Sequence, residues 1–153
     1  MMTFHEEKAL EYFRRGYNCS QAVMLAFCDV MDMDEKTALK ISSSFGGGIG
    51  RMREVCGAVS GMFMVAGMLY GYTDADDRDG KNNHYKRIQQ LAGQFKELNG
   101  SYICRELLKG VEYTTDHIST ERTPEFYKLR PCERMVCDGA RLMDEYIKNY
   151  GNE

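Results

Sequence analysis

Four of the six cysteines in the chain fall in or beside the first turn of a predicted helix. They are Cys19, Cys56, Cys104 and Cys132. A helix N-terminus carries partial positive charge and free backbone N–H groups. Both features favour a thiolate over a thiol, and the thiolate is the form that attacks disulfides and binds metals. These four positions therefore predict thiol redox chemistry or metal binding.

The helical repeat indicates that the same four side chains point inward. Cys132 shares a face with Met135 and Leu142, and Cys104 shares a face with Leu107. The other two cysteines of the set also fall on apolar helix faces. One inward cysteine is common as a small buried hydrophobe, but four at equivalent positions favour a shared site.

The two remaining cysteines do not fit this pattern. Cys137 shares its predicted face with Arg141 and Lys148, so we expect it to be exposed. Cys28 falls off the apolar face of its helix. We interpret both as structural or incidental residues.

A glycine-rich stretch precedes Cys56 and reads Phe-Gly-Gly-Gly-Ile-Gly-Arg from Phe45. It is not a dinucleotide fingerprint, because Arg51 stands where the third glycine should be and the preceding segment is helical. A steric role fits better, since glycines let the backbone turn sharply and approach closely. The residues that we assign to the surroundings of a bound cofactor are Gly46, Gly47, Gly48, Arg51, Gly57 and Gly61.

Several function classes are disfavoured. The chain has no Cys-x-x-Cys motif, no c-type haem motif and no ferredoxin spacing. His117 lies in a predicted loop, and we interpret it as solvated and not as a metal ligand.

A net charge of −3 argues against a nucleic-acid partner. We find no secretory signal, so we expect a cytoplasmic protein with reduced thiols. We interpret the uncharged stretch from Val55 to Tyr72 as a buried helix and expect no membrane partner.

Helical periodicity dominates the whole chain. We predict one all-α domain over residues 1–153, a compact bundle of about six helices around a central Gly-rich apolar helix. A capping box at Thr3 opens the first helix, and Asn18 caps a second that runs to about Met31. The other predicted elements are a short helix to Ser43, helices over Glu54–Tyr70, Lys81–Leu98, Ser101–Gly110 and Pro131–Tyr150, and a long loop over Val111–Arg130.

The chain resembles the C-GCAxxG-C-C family of redox-active proteins over about Tyr17 to Ile147. The matching segments are Asn18-Cys19-Ser20-Gln21-Ala22, Phe45-Gly46-Gly47-Gly48 with Arg51, Cys56-Gly57-Ala58-Val59-Ser60-Gly61, Cys104-Arg105-Glu106-Leu107 and Cys132. The resemblance implies a small helical protein whose four hallmark cysteines correspond to Cys19, Cys56, Cys104 and Cys132. Related modules occur beside haem or iron–sulfur chemistry, so the resemblance keeps a metal cluster among the hypotheses.

Three functions follow from these observations. In the first, two of the four cysteines, for example Cys56 with Cys19 or Cys132, cycle between dithiol and disulfide as an oxidoreductase. In the second, the same four cysteines bind an iron–sulfur cluster or another metal and transfer electrons. In the third, the protein is a non-catalytic helical interaction module. The redox functions need an electron donor or acceptor that the sequence does not identify, and the small-residue helix could serve a homo-oligomer interface.

Overall fold

A computed structural model describes residues 1–150, and these residues form the predicted all-α fold. The described part contains nine α-helices and one 3-10 turn, Ser43–Phe45. The helices are α1 (Phe4–Arg14), α2 (Cys19–Ala26), α3 (Cys28–Met31), α4 (Glu35–Ser42), α5 (Gly57–Tyr70), α6 (Arg78–Asn99), α7 (Cys104–Leu107), α8 (Pro124–Leu129) and α9 (Cys132–Tyr150). No strand forms within residues 1–150, where one isolated antiparallel bridge joins Val55 to Ile103.

The two predicted N-terminal caps are confirmed. The Thr3 side chain accepts a hydrogen bond from the Glu6 backbone N–H, and the Glu6 side chain accepts one from the Thr3 N–H. Asn18 makes the same reciprocal pair with Gln21 at the start of α2. Each capping box satisfies N–H groups that have no partner inside the helix, and so fixes where the helix begins. In α2 this places Cys19 at the first helical position.

The second predicted helix is divided in two. Phe27 leaves helical geometry, with φ −106° and ψ 12°, so α2 ends at Ala26 and α3 begins at Cys28. The ring of Phe27 stacks on the ring of His5 at 4.3 Å between centroids. The stack joins the end of α2 to α1, an interaction between distant parts of the chain that helical periodicity cannot reveal.

Helix α5 packs against α2, α6 and α9. Glycines allow two of these approaches to be close. A Cβ atom at Gly61 would lie 2.9 Å from the carbonyl oxygen of Ser20, and one at Gly139 would lie 3.2 Å from that of Ala58. Within residues 1–150, no helix combines the length and the apolar character needed to cross a membrane.

The segment over 111–130, predicted as a loop, contains the short helix α8. Pro124 occupies its first turn, and the Thr123 side chain accepts a hydrogen bond from the Phe126 N–H. The predicted cap at Ser101 is displaced in a similar way, because α7 begins only at Cys104 and is a single turn. Boundaries near short helices are set by contacts with the rest of the fold more than by local sequence.

Candidate functional site: a cavity lined by four cysteines

A cavity of about 670 Å³ brings together the four cysteines that the sequence pointed to. Cys19, Cys56, Cys104 and Cys132 all contribute to its lining. Three of them are the first residues of α2, α7 and α9, and Cys56 is the N-cap of α5. All six cysteines of the chain are free thiols. The structure therefore places these four cysteines where the sequence predicted them, at helix N-termini and around one space.

Cys19 and Cys132 are coupled, because for each of them the other thiol is the largest influence on the pKa. The hydrogen bond from the Cys19 thiol lowers the pKa of Cys132 to about 7, and the positive charges of Arg130, Arg122 and Arg53 lower it as well. The same hydrogen bond, together with burial, raises the pKa of Cys19 well above its ordinary value. The arginines select Cys132 as the thiolate and leave Cys19 as the proton donor.

A pair of backbone hydrogen bonds holds Cys56 and Cys104 next to each other in the cavity lining. The Cys56 N–H donates to the Tyr102 carbonyl at 2.8 Å, and the Cys104 N–H donates to the Glu54 carbonyl at 2.6 Å. This short antiparallel pairing brings the starts of α5 and α7 side by side. It was not predicted, because a two-residue bridge has no alternating pattern that could reveal it.

These two thiols are less acidic than Cys132. Burial raises the pKa of Cys56 to about 12, and the N–H groups of Ala58 and Val59 offset only part of that rise. Burial also raises the pKa of Cys104, which the nearby Arg53 guanidinium partly opposes. Cys56, which the sequence favoured as a redox partner, is therefore a weaker nucleophile at neutral pH than Cys132.

The glycine-rich loop wraps around the cavity in a left-handed conformation. Five consecutive residues, 47–51, have φ between 53° and 73°, and Arg53 has φ 61°. Such angles cost a non-glycine residue about 1–2 kcal/mol, so Arg51 and Arg53 are held there at a cost in stability. The result is that both arginine side chains reach the cavity lining.

The glycines of this loop permit close contacts with the cysteine-bearing elements. A Cβ atom at Gly46 would lie 2.5 Å from the Asn18 side chain, and one at Gly48 would lie 2.6 Å from Cβ of Cys104. At the start of α5, a Cβ atom at Gly57 would lie 3.1 Å from Cβ of Cys19. These clashes agree with the steric role predicted from the sequence.

The residues assigned to a bound cofactor are only partly gathered at the cavity. Those that line it are Gly46, Gly47, Gly48, Arg51 and Gly57. Gly61 instead lies where α5 crosses α2, and it is not part of the lining. The assignment of these residues to a cofactor stays a prediction.

Sequence reasoning missed the arginines that come from the other side of the cavity. Arg122 and Arg130 belong to the segment that the sequence described as a loop, and they line the cavity with His117. Arg122 donates to the carbonyl oxygens of Phe13 and Tyr17, each at 2.8 Å. The sequence offers one indication of their role, the density of basic residues near Pro131. That indication is weak, because it does not show which of these residues face the cavity.

The two remaining cysteines lie away from the cavity, but the expectation that Cys137 is exposed is wrong. Its side chain is half-buried, and burial together with the charges of Glu6 and Asp138 raises its pKa to about 11. Cys28 is partly buried against the core, and its thiol donates to the Met24 carbonyl at 3.7 Å. Neither residue lines the cavity.

The metal-binding hypothesis requires several side chains that can act as metal ligands to lie close together. Within the described residues 1–150, no group of three or more Cys, His, Asp or Glu side chains is arranged to hold a metal ion. The four cysteines share a cavity, but they are not grouped as a ligand set for a metal ion.

The fold and the site together define a small all-α protein with four free cysteines around one arginine-rich cavity. The chain belongs to the family described as "Putative redox-active protein (C_GCAxxG_C_C)", whose model matches residues 17–146. This match confirms the resemblance noted in the sequence. No curated protein and no solved structure matches the chain.

Proposed function

We propose that the protein is a dithiol oxidoreductase in which Cys19 and Cys132 cycle between two thiols and one disulfide. The observation that supports this proposal best is that both thiols line one cavity, where the interaction with Cys19 and the charges of three arginines lower the pKa of Cys132 to about 7. Cys19 and Cys132 are the first residues of α2 and α9, two helices that pack against each other. The family description is consistent with this chemistry.

The proposed reaction transfers two electrons from the pair to a disulfide substrate. The Cys132 thiolate attacks one substrate sulfur, forms a mixed disulfide and expels the first substrate thiolate, which takes the proton of Cys19. The Cys19 thiolate then attacks the Cys132 sulfur, closes the Cys19–Cys132 disulfide and releases the second substrate thiolate. An external dithiol is needed to return the pair to its reduced form.

A thiol count after mild oxidation tests this proposal. We expect the reduced protein to lose two of its six thiols, to regain them with reductant, and to yield a peptide that links Cys19 to Cys132 in mass spectrometry. Cys132→Ser should abolish the reversible loss. Cys137→Ser is the matched control and should leave it unchanged, because Cys137 lies outside the cavity. A linkage that includes Cys28 or Cys137 would contradict the proposal.

The metal and sulfide content of the purified protein, together with the thiol count, decides between dithiol cycling and the two alternative functions. Iron and sulfide in protein purified without oxygen, with charge-transfer absorption bands that vanish in Cys132→Ser, would favour the iron–sulfur alternative and overturn dithiol cycling. Six thiols that resist mild oxidation in a metal-free protein would favour the helical interaction module. The cytoplasmic location also belongs to the proposal, since a reducing compartment would keep the pair as thiols.

A further inference from the structure

The cavity carries an excess of positive charge. Four arginines line it, namely Arg51, Arg53, Arg122 and Arg130, and no Asp or Glu within residues 1–150 does so. Among the described residues, Arg51 is the only one of these four arginines that forms an ion pair with a carboxylate, that of Asp116 at 3.0 Å. The other three guanidinium groups face the cysteines without a neutralising partner, and the single Cys132 thiolate offsets only one of their charges.

Arg53 provides the strongest sign that a ligand belongs in this space. The residue is 3% exposed, and its Nη2 atom is buried without a hydrogen-bond partner among the described residues. Its Nε donates to the Thr114 carbonyl at 3.0 Å, and its Nη1 lies 3.9 Å from Sγ of Cys104. A buried, charged donor without a partner destabilises the protein, so an anionic group that accepts from Nη2 would relieve that destabilisation.

Arg122 and Arg130 are held by aromatic rings and carbonyl groups instead of acids. The guanidinium of Arg130 stacks on Phe126 at 5.1 Å, and that of Arg122 lies 4.3 Å from the ring of Phe13. Burial lowers the pKa of Arg130, and the charges of Arg53 and Arg51 lower it further, while Cys132 and Cys104 oppose this effect. Both arginines are thus fixed in position while their charges remain available to an anion.

We propose that the cavity selects a small organic disulfide that carries two carboxylates. This inference rests on the dithiol function proposed above and adds its substrate class. Three unpaired guanidinium groups and one thiolate leave two positive charges, which two carboxylates would neutralise. A volume of about 670 Å³ is that of a small-molecule site. The carboxylates bind the arginines, and the disulfide bond between them is delivered to Cys132.

A series of disulfides of similar length and different charge tests the substrate class. The pre-reduced protein is mixed in a single turnover with dithiodipropionate, which has two carboxylates, with hydroxyethyl disulfide, which is neutral, and with cystamine, which has two ammonium groups. We expect reduction of the dicarboxylate to be at least tenfold faster than that of the neutral disulfide, and cystamine to be slowest. Each rate is divided by the rate at which a free small thiol reduces the same compound, which removes the difference in intrinsic reactivity among the three disulfides. Similar corrected rates for all three would overturn the inference and leave the dithiol function standing.

Arginine variants assign the preference to the cavity. Arg53→Gln and Arg130→Gln should each reduce the ratio of the dicarboxylate rate to the neutral-disulfide rate by about tenfold. The ratio within one variant cancels the loss of Cys132 thiolate that removal of either arginine also causes. Because two different arginines are substituted, the test remains valid if one of the two variants folds poorly. Arg78→Gln is the matched control, because Arg78 is exposed at the start of α6 and outside the cavity. Equal effects of the control and the two cavity variants would overturn the inference.

A binding measurement separates this inference from the redox proposal. Suberate has the length and charge of dithiodipropionate but no disulfide, so calorimetry detects anion binding without any redox step. We expect suberate to bind to the wild type and to Cys132→Ser, and to lose at least tenfold in affinity in Arg53→Gln. Absence of binding to the wild type would overturn the anionic substrate class. Binding without reduction of any disulfide would instead overturn the dithiol function.

Discussion

Cys132 differs from the other cavity cysteines in the ease with which it loses its proton. The hydrogen bond from Cys19 and the charges of three arginines lower its pKa to about 7. We therefore expect the rate of alkylation of Cys132 by neutral iodoacetamide to rise with pH around a midpoint near 7, because the thiolate is the reacting form. Peptide mass spectrometry over a pH series measures the rate at each cysteine separately. Cys56 should show no midpoint below pH 10, since its pKa is about 12.

Two substitutions at residue 19 identify the cause of this acidity. Cys19→Ala removes the hydrogen-bond donor and should move the midpoint of Cys132 upward, toward the ordinary pKa of a thiol. Cys19→Ser keeps a donor of similar size and should move it less. A midpoint that is the same in both variants and in the wild type would show that the Cys19 hydrogen bond does not set the pKa.

At the residue scale the sequence predicted which cysteines matter but not which of them pair. Helix starts and apolar faces are local properties, and they were sufficient to select the four cavity cysteines from six. The interaction between Cys19 and Cys132 depends on how α2 and α9 pack, and the acidity of Cys132 depends also on arginines from distant segments. No spacing in the sequence encodes either relation.

The glycine loop is the element that sets the distance between the cysteine-bearing helices. Gly48 has φ 73°, and a Cβ atom there would lie 2.6 Å from Cβ of Cys104 and 2.7 Å from Cα of Arg53. We expect Gly48→Ala to lower the free energy of unfolding by about 3 kcal/mol or more, because it combines backbone strain with overpacking. It should also change the reactivity of Cys104. Denaturant titration and thiol labelling measure the two effects.

Gly50→Ala is the matched control for this loop. Gly50 also has a positive φ, 53°, but its nearest neighbour to a new Cβ is the Ser44 carbonyl at 4.0 Å. This substitution should cost only the strain, about 1 kcal/mol, and leave Cys104 unchanged. Equal losses from the two alanine variants would contradict the idea that the loop is glycine-rich to allow contact with Cys104.

At the element scale the helices of eight residues or more were predictable, including the short α4, whereas the bounds of the four- to six-residue helices were not. The capping boxes at Thr3 and Asn18 and the apolar face of α9 specify their helices locally. The break at Phe27 and the bridge between Val55 and Ile103 arise from contacts between distant segments. The bridge lies next to Cys56 and Cys104, whereas Phe27 follows the end of α2 that is remote from the cavity, and tertiary contacts outweigh local preference at both places.

At the scale of the whole molecule, a partly buried ionic cluster around His5 joins three helices. Its Nδ1 contacts Asp144 of α9 at 2.6 Å, and its Nε2 contacts Asp29 of α3 at 2.9 Å. The cluster thus ties α1 to two helices that are distant in sequence, while the stack on Phe27 holds the ring in place. Burial lowers the pKa of His5, but the hydrogen bonds and charges of the two carboxylates outweigh it, so the pKa is raised.

This raised pKa predicts a dependence of stability on pH. The folded protein holds the His5 proton more tightly than the unfolded chain does, so the stabilisation is complete below the unfolded pKa of about 6.5 and is lost as pH rises through the folded pKa. His5→Gln should therefore destabilise the protein by about 1 kcal/mol more at pH 5.5 than at pH 8.5 in denaturant titrations. His84→Gln is the control with the opposite sign, because burial and Arg87 lower the pKa of His84. A destabilisation by His5→Gln that is equal at both pH values would show that the ion pairs do not link the helices.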